Sequence, residues 1–451
     1  LLGIDDPSTQ TTRRDETITF THNKAGEPAE RTLPDGTRLV VEHDARARIT
    51  RVGRQDAARK NVVNYLYKYT LDDQVSQVRE TVRGMQLDME YACCGELTRL
   101  KGPGSLETEF VYDAAGRLIA MGSLADGTTT FEYESHGQPV RVVHPNGVET
   151  LYTYTPRRSV ESITVQRSPG DVLARWAYTY DANQNPLTIE TLEGSYAYTY
   201  DGMNRLLNAA YPAGGGENYT YDAAGNRVSS HDVALYQYSP SHRLVEYGNV
   251  QLEYDAEGTL ATRTDPSGVT TYIHDAANRL THVVLPGGAT AEYTYDGRHY
   301  RHSKTVNGET TYYLHAPLLM GEYDEGGSLL RAYIRHPRTG RVLRYHEGGE
   351  TYFVHNDRLG TPHLLTDAGG NVVWRATYDS FGRATVDPSS GITFNLRLPG
   401  QYYDDETGLH YNQKRYYEPE VGRYIEPDPL AAMNIPIWYR MIGRNEYVYA
   451  S

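Results

Sequence analysis

Aromatic and polar positions alternate along most of this chain, and tight turns interrupt the alternation at regular intervals. Aromatic residues stand two positions apart ahead of each turn, as in Phe110/Tyr112 and Tyr219/Tyr221, with Val or Thr between them. A spacing of two places both rings on one face of a β-strand, and Val and Thr are good strand formers. These segments are therefore predicted to be strands with one aromatic face.

The strand-and-turn unit repeats about every 21 residues, and each copy contains a tyrosine-aspartate step. The plainest copies have their tyrosines at Tyr112, Tyr180, Tyr200, Tyr221, Tyr254 and Tyr295, and degenerate copies stand at Tyr91, Tyr133, Tyr154, Tyr238 and His274. A constant period of this length marks a repeat architecture whose units share one continuous core. The repeat overrides the usual expectation of about three domains for a chain of 451 residues.

The turn after each anchor tyrosine has a defined chemistry. Asp113 precedes Gly116 by three positions, and Asp at the first and Gly at the fourth position is the preference of a type I turn. Asn204 and Asn278 replace that Gly in the copies at Tyr200 and His274, and Asn tolerates positive φ better than most residues. We therefore predict the same turn in the degenerate copies.

A second turn lies between anchors and closes each unit into a hairpin. Its signals are the Asp-Gly and Asn-Gly pairs Asp35-Gly36, Asp126-Gly127, Asn146-Gly147 and Asn307-Gly308. Each repeat is thus predicted to contain two strands of about six to eight residues, and no long stretch has a helical period. The predicted fold is all-β, a long antiparallel ribbon that twists, curls to protect its edges and spirals into a hollow shell.

Composition fits a sheet with much solvated surface. The chain has 40 tyrosines against 6 phenylalanines, and its apolar fraction is 39%. Tyr has a broad apolar face and a polar tip, which suits a sheet that is wet on at least one side. The low apolar fraction argues against a compact core that is covered on both sides.

The net charge of the chain argues against two classes of partner, and its hydropathy argues against a membrane-spanning helix. The formal net charge of −14 argues against a nucleic-acid binder, which normally has a basic patch, and against docking on an acidic membrane surface. No apolar run approaches the roughly 20 residues that a membrane-spanning helix needs. The first residues lack an initiator Met and a signal-like charged segment, so we expect this sequence to be a piece of a longer protein whose targeting it does not show.

Metal and cofactor sites are not predicted. Cys93 and Cys94 are the only cysteines, which excludes a disulfide framework and a four-thiolate zinc site; we expect small packed residues in a strand or turn. His299 and His302 are three apart, so on a strand they point to opposite faces. The glycines at 214–216 lie in a hairpin turn without a following helix to bind phosphate.

After residue 355 the repeat motif is joined by a second set of motifs in a fixed order. These are residues 355–362 (HNDRLGTP), 373–383 (VWRATYDSFGR), 398–404 (LPGQYYD), 406–412 (ETGLHYN), 415–419 (RYYEP) and 422–425 (GRYI). Together with repeats such as 112–118 (YDAAGRL) and 221–227 (YDAAGNR), they resemble the RHS/YD-repeat family and its C-terminal RHS-associated core region. The resemblance covers nearly the whole chain.

The resemblance implies a domain organisation and a function. Residues 1–350 would form the β-shell, and residues 351–451 would be the core region, an end plug truncated before its payload. In the family such shells enclose a C-terminal polypeptide, often a toxin, in insecticidal toxin complexes and type VI secretion effectors. We therefore expect an encapsulating cage that is secreted or delivered by a bacterial secretion system. The alternative is an adhesion or wall-associated scaffold on the cell surface, as in teneurins.

The same resemblance implies the partners. These are the payload polypeptide inside the shell, the remaining shell portion or a partner shell protein, and a secretion spike or PAAR-type adaptor. No nucleic acid is expected as a partner, and no membrane span is expected within these residues.

One piece of chemistry is implied as well, self-cleavage of the core region as an aspartyl autoprotease. The first Asp-Pro after the GRYI motif contains Asp428, with Arg415 and Arg423 upstream. Aspartyl chemistry uses two carboxylates that share a proton, and a buried Arg could hold one of them ionised. Residues 430–437 depart from the family's Gly-rich pattern, and a second Asp-Pro does not appear. The alternatives are a structural turn aspartate and arginines whose ion pair closes the shell, and no activity on other substrates is expected.

Overall fold

The structure is a computed structural model that describes residues 9–12, 17–104 and 106–428. All regular elements of these residues are β-strands, and no helix occurs among them. The predicted all-β class is confirmed. The predicted segment 430–437 lies outside the described residues.

The first sheet has 21 strands. They are β1 (Thr9–Thr11), β2 (Thr17–His22), β3 (Pro28–Thr32), β4 (Arg38–His43), β5 (Ile49–Gln55), β6 (Asn61–Tyr69), β7 (Val75–Glu80), β8 (Gln86–Tyr91), β9 (Leu97–Lys101), β10 (Glu107–Tyr112), β11 (Leu118–Ser123), β12 (Gly127–Tyr133), β13 (Pro139–Val143), β14 (Glu149–Tyr154), β15 (Val160–Ser168), β16 (Asp171–Tyr180), β17 (Pro186–Glu190), β18 (Ser195–Tyr200), β19 (Leu206–Ala210), β20 (Gly216–Tyr221) and β21 (Arg227–Ser230).

The second sheet has 16 strands and the third has 4. Those of the second are β22 (Tyr236–Tyr238), β23 (Leu244–Tyr247), β24 (Val250–Tyr254), β25 (Leu260–Asp265), β26 (Gly268–His274), β27 (Leu280–Val284), β28 (Thr290–Tyr295), β29 (Arg301–Val306), β30 (Glu309–His315), β31 (Leu319–Tyr323), β32 (Leu329–Arg335), β33 (Val342–Glu347), β34 (Glu350–Asn356), β35 (Pro362–Thr366), β36 (Val372–Tyr378) and β37 (Ala384–Val386). Those of the third are β38 (Gln401–Tyr403), β39 (His410–Asn412), β40 (Arg415–Glu418) and β41 (Arg423–Tyr424).

Strands pair antiparallel with their neighbours in chain order within each sheet, so the chain is a continuous meandering ribbon. The predicted turns have the expected geometry: Asp113 Oδ1 accepts the main-chain N–H groups of Ala115 and Arg117 at 2.9 and 3.0 Å. Asn204 and Asn278 have φ of +62° and +59°, which confirms that Asn occupies the left-handed position where Gly is absent.

The anchor tyrosines have a more specific role than a polar tip in water. At the anchor tyrosines of the first sheet the strand register shifts by a bulge, as between Val111 and Tyr112, and most of their hydroxyls donate to a carbonyl of the preceding hairpin. Tyr112 bonds Leu97 O at 2.9 Å, and the same bond recurs at Tyr69, Tyr91, Tyr133, Tyr154, Tyr180, Tyr200 and Tyr378. Phe cannot donate this bond, which accounts for the high ratio of Tyr to Phe.

The ribbon returns to lie beside itself after roughly ten repeats. Tyr65 Oη on β6 is 3.1 Å from His302 Nδ1 on β29, a separation of 237 residues. Asn146 Nδ2 donates to Thr366 Oγ1 on β35 at 2.9 Å, a separation of 220 residues. Further along the first sheet, Leu173 O accepts from Arg375 of β36, so residue numbers rise together along the two sheets. The second sheet therefore follows the first as the next turn of a spiral, as predicted.

The largest apolar cluster joins the second sheet to residues 394–425. Trp374 of β36 is 1% exposed, and its ring lies 5.2 Å from that of Phe394. This cluster fixes the position of β38–β41, which contain Arg415 and Arg423 and precede Asp428. One local expectation was wrong: Cys93 and Cys94 lie in a turn after β8 but are exposed rather than packed, because they occupy the solvent side of that turn.

Candidate functional site

The chain that leads to Asp428 is held between two strands of different sheets. Ile425 N donates to Tyr416 O on β40 at 3.0 Å, and Ile425 O accepts from Leu260 N on β25 at 3.0 Å. The segment after β41 therefore has a fixed path across the end of the second sheet. Asp428 is the last residue of this path that the structure describes.

Asp428 and Arg415 lie together. Arg415 Nη2 is 3.4 Å from Asp428 Oδ2, and the two side chains are 15% and 36% exposed. The Arg415 guanidinium also stacks 3.6 Å above the ring of Tyr424, a cation–π contact that orients it. Two of the three predicted site residues are thus in contact, although a pair this exposed contributes little to stability.

Arg423 has partners on the repeat ribbon. Its Nη1 donates to Asn226 Oδ1 at 3.3 Å, and its Nη2 donates to His242 O at 2.8 Å. These groups belong to the turns that end the first sheet and open the second. The contacts therefore favour an anchoring role for Arg423, as in the structural alternative.

Sequence reasoning missed Glu426, a buried carboxyl two residues before Asp428. Its Oε2 accepts Tyr416 N at 2.9 Å, its Oε1 is 3.9 Å from His274 Nε2, and the side chain is 5% exposed. Burial raises the pKa of Glu426 to about 8. The segment thus places a carboxyl that keeps its proton at neutral pH two residues from a carboxyl that contacts a guanidinium, and a protonated carboxyl can act as an acid.

Glu418 on β40 is a second missed carboxyl with a raised pKa. Burial raises the pKa of Glu418 to about 7, although Arg263 Nε is 3.6 Å from its Oε1. The Tyr247 hydroxyl donates to both Glu418 and Glu420 at 3.4 Å. The signal available in the sequence was a carboxylate within an otherwise aromatic strand.

Stability is expected to fall as pH rises from about 4.5, the usual pKa of a Glu carboxyl, to about 8. Burial raises the pKa values of Glu418 and Glu426 in the folded chain, so the folded state binds more protons than the unfolded state in this range, and alkali favours unfolding. The double variant Glu418→Gln/Glu426→Gln should be more stable than the parent at pH 8.5 by at least about 1.4 kcal/mol, the free energy of one pKa unit. Urea denaturation at a series of pH values measures this difference.

Glu325→Gln is the control, because Glu325 is exposed in the turn between β31 and β32. The control should keep the parental pH dependence. If the free energy of unfolding had the same slope against pH in the parent and the double variant, Glu418 and Glu426 would not be the source of the pH dependence.

A buried ion network joins the ribbon to the third sheet and was also missed. Arg301 on β29 donates to Asp404, and these side chains are 1% and 0% exposed. Lys304 Nζ lies 3.0 Å from Asp404 Oδ1 and 2.9 Å from Glu406 Oε2. Burial by itself would raise the pKa of Asp404, but Arg301 and Lys304 outweigh it and hold that pKa below its usual value.

The described residues contain no group of three or more His, Cys, Asp or Glu side chains that could hold a metal ion. His302 Nδ1 is 3.1 Å from Tyr65 Oη, and its Nε2 is 3.1 Å from Arg83 Nη1. Both ring nitrogens of this histidine are therefore engaged by the protein. Among the residues that the structure describes, no helix is long and apolar enough to cross a membrane.

Similarity to known proteins extends over most of the chain. The family model described as Teneurin YD-shell matches residues 55–169 and 183–441. The tRNA3(Ser)-specific nuclease WapA of Bacillus spizizenii is 28% identical over 338 residues, which cover 71% of this chain and 14% of that protein. Toxin protein Tse5 of Pseudomonas aeruginosa is 27% identical over 393 residues, 81% of this chain and 26% of that protein. The chain thus spans a minor part of these relatives.

A solved structure shares the fold. The Tc holotoxin pore of Photorhabdus luminescens superposes with a TM-score of 0.69 at 17% sequence identity, over 99% of this chain and 27% of that one. The likeness includes both the repeat ribbon and the segment that contains the third sheet.

Proposed function

This chain belongs to the Teneurin YD-shell family, and from that premise we propose that it forms part of a hollow β-shell that houses a toxin or effector polypeptide for secretion and release. The observation that carries the proposal is the return of the ribbon beside itself, as in the Asn146–Thr366 contact across 220 residues. A ribbon that winds in this way stacks each turn of the spiral on the one before it and so builds a continuous wall. The toxin named among its relatives supports an enclosed toxin as the payload.

We assign residues 1–350 to the wall and residues 351–451 to the core region, which plugs one end. Two features support a separate plug within residues 351–451, although β34–β37 of that range belong to the second sheet. The strands β38–β41 form a sheet of their own, and they pack on the second sheet through Tyr402 and the cluster around Trp374. The Arg301–Asp404 ion pair crosses the same boundary and would hold the plug in place.

The payload would be a polypeptide that follows the core region, as in the resemblance to the RHS/YD-repeat family. The remaining wall would come from further residues of the same protein or from a partner shell protein. A spike or PAAR-type adaptor would then carry the loaded shell through a secretion system. The relatives named as toxins support secretion or delivery as the destination.

We propose further that the core region cuts itself from the payload. Asp428, beside Arg415, would activate water, and the protonated Glu426 would supply the acid. The Arg415–Asp428 contact of 3.4 Å and the raised pKa of Glu426 support these roles. Arg423 would act as a positioning residue, since it holds β41 against the turns at Asn226 and His242.

The full-length protein that contains this chain and its payload is expected to run as two bands on a denaturing gel. Asp428→Asn should leave one band, because it removes the base, whereas Asp405→Asn, at an exposed position in a neighbouring turn, should leave two. Native size-exclusion chromatography should elute both pieces together, because the cut payload stays enclosed.

The denaturing gel tests self-cleavage, and the native column tests enclosure, so the two claims can fail independently. A single band for both the parent and Asp428→Asn would rule out self-cleavage and would leave the proposal of a shell unaffected. Two pieces that separate on the native column would instead contradict enclosure.

A further inference from the structure

A cavity of about 220 Å³ lies where the core region meets the second sheet, away from the Asp428 segment. Its walls come from the ends of β29–β33 and from residues near 359–362 and 396–402. We call it the arginine cavity, and its defining polar residues are Arg301, Arg335, Arg341 and Gln401. The rest of its lining is largely apolar and includes Leu319 and Val342, on the two strands that flank β32 in the second sheet.

The charge of this lining is the opposite of the charge of the chain. Four arginines, the three above and Arg397, and no aspartate or glutamate line the cavity, although the chain has 58 acidic against 44 basic residues. Arg301 is neutralised by Asp404 outside the lining. The remaining guanidiniums leave the arginine cavity with net positive charge.

Arg335 makes its hydrogen bonds to main-chain carbonyls. Its Nε donates to Leu319 O at 3.0 Å and its Nη1 to Gly340 O at 2.9 Å, and in the described part of the chain no carboxylate pairs with it. Burial without a counter-ion lowers the pKa of Arg335 to about 10, so the side chain is still charged at neutral pH. Arg341 likewise donates to a carbonyl, that of Arg358.

Two further donors at the cavity have no acceptor within the described residues. Gln401 Nε2 and Arg301 Nε are buried without a hydrogen-bond partner, and both side chains are 1% exposed. The other end of the Gln401 amide is used, since its Oε1 lies 2.6 Å from His410 Nδ1. Buried donors without a partner are costly and rare, so an acceptor from a ligand would satisfy them.

We propose that the arginine cavity binds an organic carboxylate, with its charged group on Arg335 and Gln401 and its apolar part against Leu319 and Val342. The planar guanidinium fork matches a carboxylate. The volume exceeds the roughly 30 Å³ share of one water, and the apolar wall suits a ligand with a hydrocarbon part better than an inorganic anion. The carboxylate could come from a free acid or peptide C-terminus, or from an acidic side chain of a polypeptide.

Isothermal titration of the purified chain distinguishes these sources. N-acetyl-leucine represents a free acid or chain terminus, and an acetylated, amidated pentapeptide with one central Glu represents a side chain. At least one of these probes should bind, and N-acetyl-leucinamide, which lacks the charge, should bind at least about tenfold more weakly. Inorganic phosphate should also bind more weakly than the better carboxylate probe.

Arg335→Gln should weaken binding of the carboxylate at least about tenfold, whereas Arg338→Gln, at an exposed position three residues away and outside the lining, should not. Gln401→Glu provides a second variant, because it supplies an internal carboxylate that should both displace the ligand and raise the melting temperature.

The proposal would be overturned by the absence of binding for both carboxylate probes. Equal affinity for acid and amide, tighter binding of phosphate, or full binding by folded Arg335→Gln and Gln401→Glu proteins would overturn it as well. Circular dichroism of each variant verifies that the chain is folded.

Discussion

Asp404→Ala is expected to lower the free energy of unfolding by about 3 to 5 kcal/mol. The substitution leaves the Arg301 guanidinium, which is 1% exposed, buried without its carboxylate, and it removes one of the two acidic partners of Lys304. Desolvation of the cation is then no longer offset. Urea denaturation, followed by tyrosine and tryptophan fluorescence, measures the loss.

The matched control is Asp405→Ala, which removes a carboxylate from the adjacent exposed position and should change stability by less than about 0.5 kcal/mol. A second variant separates charge from packing: Arg301→Leu combined with Asp404→Leu removes both buried charges and should recover much of the loss. If the Asp404→Ala protein were as stable as the control, the buried ion network would not stabilise the fold as proposed.

Features set by neighbouring residues were predictable from the sequence. The turn after each anchor tyrosine depends on four consecutive residues, so Asn204 and Asn278 could be assigned positive φ before the structure was known. The strand periodicity is equally local, and the antiparallel ribbon followed from it. The turn-to-turn offset of the spiral is a sum of small twists over many strands, and no short segment of sequence contains it.

The role of the tyrosine hydroxyls was only half predictable. A polar tip on an aromatic strand indicates a polar neighbour, but the neighbour of Tyr112 is the carbonyl of Leu97, 15 residues earlier. The choice of that carbonyl depends on the bulge at Val111 and Tyr112. A register shift of one residue would direct the hydroxyl elsewhere.

The candidate site also has one part that the sequence predicts and one part that it does not. Arg415 and Asp428 meet because they flank the short hairpin of β40 and β41, a relation visible in the sequence. The raised pKa values of Glu418 and Glu426 result from burial, and their contacts are with β23, β25 and β26, roughly 150 to 170 residues earlier in the chain. The Arg301–Asp404 pair spans 103 residues, and neither side chain has a sequence pattern that indicates the other.

Enclosure predicts that an intact shell protects its payload from protease. Protease reaches a buried segment through transient opening, so digestion follows the population of open shells. Asp404→Ala weakens the contact between plug and wall by about 3 to 5 kcal/mol, and the payload should then be digested about 100-fold faster or more. Asp405→Ala should leave the rate unchanged.

The most direct measurement of the central claim is therefore the time course of payload digestion in the native full-length protein, with the isolated payload as reference. A payload inside a closed shell should survive long after the isolated payload has been degraded, and it should lose this protection in Asp404→Ala. Digestion of the attached payload at the rate of the isolated payload would contradict the account.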